Sequence, residues 1–260
     1  MTGSKNVGHF VWYDLMTNDP KGAGDFYTGL IEWGTRSWDD GGQNHTLWTN
    51  RDTPFGGVVE LTEEARKEGA PAHWLAYVAV EDIRAAIARA GELGGSVLHG
   101  PTDIPGVGSW AVLTDPQGAV FSVYQSAGEP PPEAGAPEIG GFSWHELATS
   151  DSKGAFNFYS ELFGWKPAEA MDMGEAGIYQ LYGAGGDPLG GMFNKPNEMP
   201  GPPMWLYYVK VGDVNEAVKK VAELGGQVIN GPMAVPGGDL IAQCLDPQGA
   251  LFAIHSSSSD

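Results

Sequence analysis

From Phe10 to Thr17 the side chains follow the two-residue period of a strand, and after Pro20 the apolar positions Phe26, Tyr27, Leu30 and Ile31 recur at helical spacing. Asp19-Pro20 suits the junction, with an N-cap aspartate ahead of a proline at the first helical position. Residues 33–38 and 45–49 are predicted strands separated by the turn residues Asp39-Asp40-Gly41-Gly42, and residues 56–61 are a third. The same grammar then repeats. A strand at 74–80 leads into a helix at 82–93, with Ile83, Ala86, Ile87 and Ala90 on one face and Gly94-Gly95 as its stop. Strands at 96–99, 109–114 and 119–125 follow, the last two joined by the turn Asp115-Pro116-Gln117-Gly118.

The whole arrangement occurs twice. Trp12, Leu15, Thr17, Asp19 and Phe26-Tyr27 return as Trp144, Leu147, Thr149, Asp151 and Phe158-Tyr159, an offset of 132 residues. Trp74, Asp82, Leu93-Gly94-Gly95 and Asp115-Pro116-Gln117-Gly118 return as Trp205, Asp213, Leu224-Gly225-Gly226 and Asp246-Pro247-Gln248-Gly249, an offset of 131. The chain is a tandem repeat, with domains expected at 8–125 and 140–255. A linker at 126–139 contains Pro130-Pro131-Pro132, and the serine-rich tail at 256–260 is expected to be disordered. Strand parity gives the repeat a chemical meaning. Leu15 and Leu147 suit the face that packs on the following helix, as do Tyr13 and His145, the latter as a packing histidine. Trp12, Asp14 and Met16 then share the opposite face, as do Trp144, Glu146 and Ala148.

Composition narrows the classes of partner. The 260 residues carry 33 acidic and 14 basic side chains, a net charge of −19, which repels phosphate backbones and anionic lipid. No nucleic-acid or membrane partner is expected. Nine tryptophans within a 42% hydrophobic sequence can fill two cores. Cys244 is the one cysteine, so an internal disulfide is excluded and a buried thiol is expected. Residues 1–7 lack the apolar core of a signal peptide, and the expectation is a cytoplasmic monomer or homodimer.

Paired βαβββ units, an aspartate-led helix carrying Phe-Tyr, a Leu-Gly-Gly helix end and a closing Asp-Pro-Gln-Gly turn resemble the vicinal oxygen chelate superfamily. That superfamily includes glyoxalase I, extradiol dioxygenases, and the bleomycin- and fosfomycin-resistance proteins. Trp-x-[Asp/Glu]-Leu-x-Thr is most similar to its tandem glyoxalase-like members. The resemblance implies an α+β protein of two such domains, each a curved mixed sheet built from paired βαβββ units with helices on its outer face. It also implies where a metal would sit, in the half-barrel of each domain. Those places fall on Trp12, Glu60, Leu75 and Ser122, and on Trp144, Asn194, Leu206 and Ala253. One carboxylate in the first set and none in the second do not make the usual divalent-ion site, so no cofactor is expected.

By parity the cavity of the first domain presents Trp12, Asp14, Glu60, Tyr77, Ser122 and Tyr124. That of the second presents Trp144, Glu146, Asn194, Tyr208 and His255. Aromatic walls with a few polar groups describe a pocket for a small, partly apolar or aromatic molecule. Asp14 and Glu146 are the candidate catalytic residues, because a carboxylate desolvated beside an indole is pushed toward the range of a proton-transferring base. The structural alternatives are indoles that fill a core, carboxylates pinned by a backbone group or tyrosine hydroxyl, and a His255 exposed beside the tail. Two functions are therefore expected, a binding or resistance protein or a metal-independent proton-transfer enzyme. A metal-dependent lyase or dioxygenase would need an irregular ligand set, Glu60 with Asp14 or Glu146 with His255. A scaffold protein would have filled cavities. The glycine-containing loops 104–110 and 235–239 fit either a lid over a ligand or plain turns.

Overall fold

A computed structural model describes residues 6–39, 44–128 and 137–258. Residues 40–42 of the turn expected at Asp39-Asp40-Gly41-Gly42, most of the proline-rich linker and the last two tail residues lie outside the described residues. Four βαβββ modules follow one another. The first is β1 (Phe10–Thr17), α1 (Pro20–Ile31), β2 (Gly34–Asp39), β3 (Asn44–Asn50) and β4 (Thr53–Glu60), followed by a short helix α2 (Glu63–Lys67). The second is β5 (His73–Ala79), α3 (Ile83–Glu92), β6 (Ser96–Ile104), β7 (Gly108–Thr114) and β8 (Val120–Ser126). The third is β9 (Phe142–Thr149), α4 (Ser152–Phe163), β10 (Lys166–Asp172), β11 (Ile178–Gly183) and β12 (Gly190–Asn194). The fourth is β13 (Met204–Lys210), α5 (Val214–Glu223), β14 (Gln227–Ala234), β15 (Leu240–Leu245) and β16 (Leu251–Ser256).

Local chemistry explains the boundaries. Asp19 and Asp151 accept the third helical N–H, from Gly22 and Gly154, each at 2.9 Å, while Asp82 accepts the N–H groups of Arg84 and Ala85 at the start of α3 and Asp213 that of Asn215 at the start of α5. α2 buries no residue, so it has no apolar period by which to be recognised. β6 runs five residues beyond the expected segment; nearly all its side chains are exposed, which leaves no alternation to mark its end. Ser256, expected in the tail, closes β16 instead, buried with its Oγ accepting the Val214 N–H. No helix among the described residues is long and apolar enough to cross a membrane.

Two mixed eight-stranded sheets result, in the orders β2-β3-β4-β1-β5-β8-β7-β6 and β10-β11-β12-β9-β13-β16-β15-β14. β1 and β4 run parallel, as do β5 and β8, β9 and β12, and β13 and β16, while the hairpins are antiparallel. By contact the residues group into two compact units that do not follow the repeats. Unit one comprises Met1–Val11, Ala76–Ala134 and Trp144–Trp205; unit two comprises Trp12–Leu75, Gly135–Ser143 and Leu206–Asp260. Each unit thus combines a module of one repeat with a module of the other.

Each unit is built around a tyrosine that ties the two repeats together. In unit one the Tyr159 ring lies 5.3 Å from Phe121, 5.4 Å from Trp165 and 5.3 Å from Trp205. Its hydroxyl accepts from Trp205 Nε1 at 3.1 Å and donates to Asp115 Oδ2 at 3.1 Å. In unit two Tyr27 does the same, accepting from Trp74 Nε1 at 2.9 Å and donating to Asp246 Oδ2 at 3.2 Å. The other oxygen of each aspartate accepts the N–H of the glutamine of its own Asp-Pro-Gln-Gly turn and that of the alanine that follows the turn. Burial pushes both carboxyls above the usual carboxylate range, and these hydrogen bonds act against that rise. The helix-bearing faces expected of the fold therefore meet the partner repeat. Each buries a polar tie inside an aromatic shell.

His145 is buried at 5% exposure in unit one, with its ring stacked on Phe10 at 3.9 Å and its Nδ1–H donated to the Leu189 carbonyl at 2.9 Å. Burial lowers its pKa to about 4, although the Leu189 carbonyl favours the charged form.

Two outcomes are expected. Tyr27→Phe and Tyr159→Phe each leave a buried carboxylate one partner short and cost about 1–3 kcal/mol in urea unfolding. Below pH 6.5 the unfolded chain protonates His145 and the folded chain does not, so stability falls as pH drops from about 6.5 to about 4, by roughly 3 kcal/mol from this group. Unfolding free energies of His145→Tyr, which installs the residue found at Tyr13, should lack that part of the pH slope.

Candidate functional site

In unit one, β9 lies parallel to β12 with Glu146 opposite Gly191. A side chain at 191 would overlap the Tyr179 ring, so the glycine is what admits that ring beside the carboxylate. Trp144 Nε1 donates to the Tyr179 hydroxyl at 2.8 Å, and the hydroxyl donates to Glu146 Oε2 at 2.8 Å. An indole N–H can only donate and a carboxylate can only accept, so the direction of the phenol proton is fixed toward Glu146. All three side chains are half-buried, which leaves them accessible to a small molecule.

Unit two carries a shorter version. Trp12 Nε1 donates straight to Asp14 Oδ1 at 2.8 Å, and Asp14 stands opposite Gly57 on β4. A Cβ at 57 would press on Asp14 Oδ1 at 2.6 Å, so here too a glycine makes room for the acid. The Trp-x-acid pair thus forms in both repeats, bridged by a tyrosine in one of them.

Tyr179 escaped the sequence reading for a countable reason. Trp48 pairs with Gly56 as Tyr182 pairs with Gly190, so the repeat offset is 134 in these strands rather than 132. At that offset Tyr179 corresponds to His45, so no tyrosine of the first repeat marks it.

Two expected site residues are placed elsewhere. Glu60 pairs with Thr17 across β4 and β1, which puts it on the Leu15 face at an exposed strand end, where it meets Arg66 at 3.5 Å. Asn194 pairs with Thr149, and its Oδ1 accepts the Ser152 N–H at 2.7 Å in the first turn of α4. Both lie an odd number of residues from the glycine opposite the acid, and an odd step along a strand changes face.

Of the remaining expected residues, Tyr77, Ser122 and Tyr208 are buried, and Tyr124 and His255 are half-buried. In unit one Ser122 is fully buried with no hydrogen-bond partner for its Oγ among the described residues, and Tyr77 is 8% exposed, its ring edge-on to Trp110. Tyr124 donates its hydroxyl proton to the Val107 carbonyl at 2.8 Å. In unit two Tyr208 is buried, its hydroxyl accepting from Gln243 Nε2 at 3.3 Å. His255, expected beside the tail, lies within β16 and bonds Ser143 and Asp239. A groove of about 310 Å³ in unit one, lined by Val80, Ala86, Arg89 and Phe163 among others, shares no residue with the Trp144–Tyr179–Glu146 chain.

These residues do not fit a divalent ion. Among the described residues no three His, Cys, Asp or Glu side chains converge as a metal site would need. Of the positions implied by the family resemblance, Leu75, Leu206 and Ala253 offer no donor, and Glu60 and Asn194 are turned to other partners.

Comparison with known proteins agrees with the fold. "Putative glyoxylase CFP32" of Mycobacterium tuberculosis is 32% identical over 252 residues, covering 94% of this chain and 92% of its own length. "Anthracycline biosynthesis protein DnrV" of Streptomyces peucetius is also 32% identical, over 258 residues, covering 94% of this chain and 91% of its own length. Among solved structures, the Mn(II)-bound glyoxalase from Novosphingobium aromaticivorans superposes with a TM-score of 0.66 at 15% identity, covering 96% of this chain and 82% of that one. The sequence profile of the Glyoxalase/Bleomycin resistance protein/Dioxygenase superfamily matches residues 6–123 and again 141–254, and the chain belongs to that superfamily as a tandem pair of its domains.

Proposed function

We propose that this chain binds a small aromatic, partly apolar molecule against the acid-bearing face of its sheets and moves a proton to or from it through Glu146. The observation that carries the proposal is the Trp144–Tyr179–Glu146 chain, with the glycine at 191 that makes space for it. Glu146 is the general base and touches the guest. Tyr179 and Trp144 position it, and a hydrogen bond from the phenol to the carboxylate spreads the charge that proton transfer creates or removes. The indole and phenol also offer flat apolar surface to an aromatic guest. Asp14 with Trp12 is the counterpart in the other repeat, where the acid is one methylene shorter and held directly. The aromatic class is supported by two relatives named for anthracycline biosynthesis.

The test separates binding from chemistry. A polycyclic aromatic ketone is offered to the wild type, Glu146→Gln, Tyr179→Phe and Asp14→Asn; binding is read by thermal shift and proton transfer by solvent-deuterium exchange next to the carbonyl. Glu146→Gln is expected to bind within a few-fold of wild type and to exchange about 100- to 10,000-fold more slowly. Equal binding and equal exchange in wild type and Glu146→Gln would remove the carboxylate from the account. Stoichiometric divalent metal retained through dialysis, with exchange lost on chelation, would replace this reading with a metal-dependent one.

A further inference from the structure

Unit two holds a second chemical cluster that the proposal above does not use. Ser143 on β9, His255 on β16 and Asp239, the residue before β15, form a continuous hydrogen-bonded line. Ser143 Oγ is 3.0 Å from His255 Nδ1, and His255 Nε2 is 3.0 Å from Asp239 Oδ2. The protonation pattern follows from the partners. Asp239 can only accept, so Nε2 carries the proton of the neutral imidazole and Nδ1 presents its lone pair to the serine hydroxyl. The Tyr208 carbonyl, 3.3 Å from Ser143 Oγ, is a longer competitor for that proton. Asp239 is anchored in turn by the Ser258 N–H at 2.9 Å, and the bond to His255 holds its carboxyl below the usual range. Ser143 is half-buried, and the His255 and Asp239 side chains are 18% and 36% exposed, so solvent and a small substrate can reach the line.

The first repeat shows that the fold does not require these residues. Strand register makes Val11, Tyr124 and Gly108 the counterparts of Ser143, His255 and Asp239. There the tyrosine merely reaches the Val107 carbonyl, while the strands pair in the same way. The glycine-containing loop at 235–239 thus has a specific role, which is to deliver an aspartate to a histidine.

We propose that Ser143, His255 and Asp239 form a nucleophilic acyl-transfer site for small activated esters, with Ser143 as nucleophile, His255 as general base and Asp239 as the positioning residue. Ser143 Oγ attacks the ester carbonyl carbon as its proton passes to His255 Nδ1. Collapse of the tetrahedral adduct breaks the bond to the leaving alkoxide, which takes that proton and departs as an alcohol. Water, deprotonated by the same nitrogen, then releases the acid and restores the serine hydroxyl.

Full-length protein is treated with a fluorophosphonate and, separately, with 4-nitrophenyl acetate, and adducts are mapped by mass spectrometry. A single adduct on Ser143 is expected, absent in Ser143→Ala. In His255→Gln the labelling rate should fall about 100-fold or more at an unchanged melting temperature. Asp239→Asn, which offers Nε2 a donor and disfavours the productive tautomer, should slow labelling, and Asp239→Glu should restore part of the rate, a rescue that a purely structural contact would not show. An unlabelled Ser143 in the wild type, or equal labelling rates in wild type and His255→Gln, would overturn the proposal.

Discussion

A buried carboxylate held by a tyrosine from the other repeat is the constraint on which both units depend. Asp115 and Asp246 sit at 2% and 3% exposure, where an ionisable group is tolerated only if its oxygens are occupied. Their own turns fill one oxygen each, and Tyr159 and Tyr27 fill the other. The tyrosines are placed in turn by the helices that Asp151 and Asp19 cap, and their rings anchor the aromatic shells that complete each core. Removing a ring would open a cavity, and removing only its hydroxyl would leave one carboxylate oxygen without its partner. The fold is thus held in register by a polar contact as well as by area buried.

Among the described residues the same three-part chemistry appears three times with different accessibility. Trp74–Tyr27–Asp246 and Trp205–Tyr159–Asp115 are enclosed, whereas Trp144–Tyr179–Glu146 lies half-exposed on a sheet face. Enclosed, the arrangement can only stabilise. Exposed on one side, it presents an oriented acid to whatever settles against the aromatic surface. The shorter Trp12–Asp14 pair shows the minimum that the repeat supplies, and Tyr179 is an elaboration of it.

Much of this was legible in the sequence because helix caps and strand parity are local rules. Asp19-Pro20 starts a helix where the spacing says, and Asp14 and Glu146 share a face with their tryptophans. The failures come from non-local or shifted relations. Asp-Pro-Gln-Gly reads as a turn, and nothing nearby announces that its carboxylate will be bound by a tyrosine 219 residues away in one case. Parity counted from the wrong residue puts Glu60 and Asn194 in the cavity, whereas an odd step from the glycine opposite the acid turns them to the other face. Of the two readings of His255, the exposed one beside the serine-rich tail fails because the strand continues through it to Ser256.

The division into units that cross the repeats makes each copy depend on the other for its core. Each half of the chain contributes one module to either unit, so a fragment cut at the linker would own two partial cores and no complete one. Tyr27 and Tyr159 each bond an aspartate encoded in the opposite half, so neither copy satisfies its own buried carboxylate.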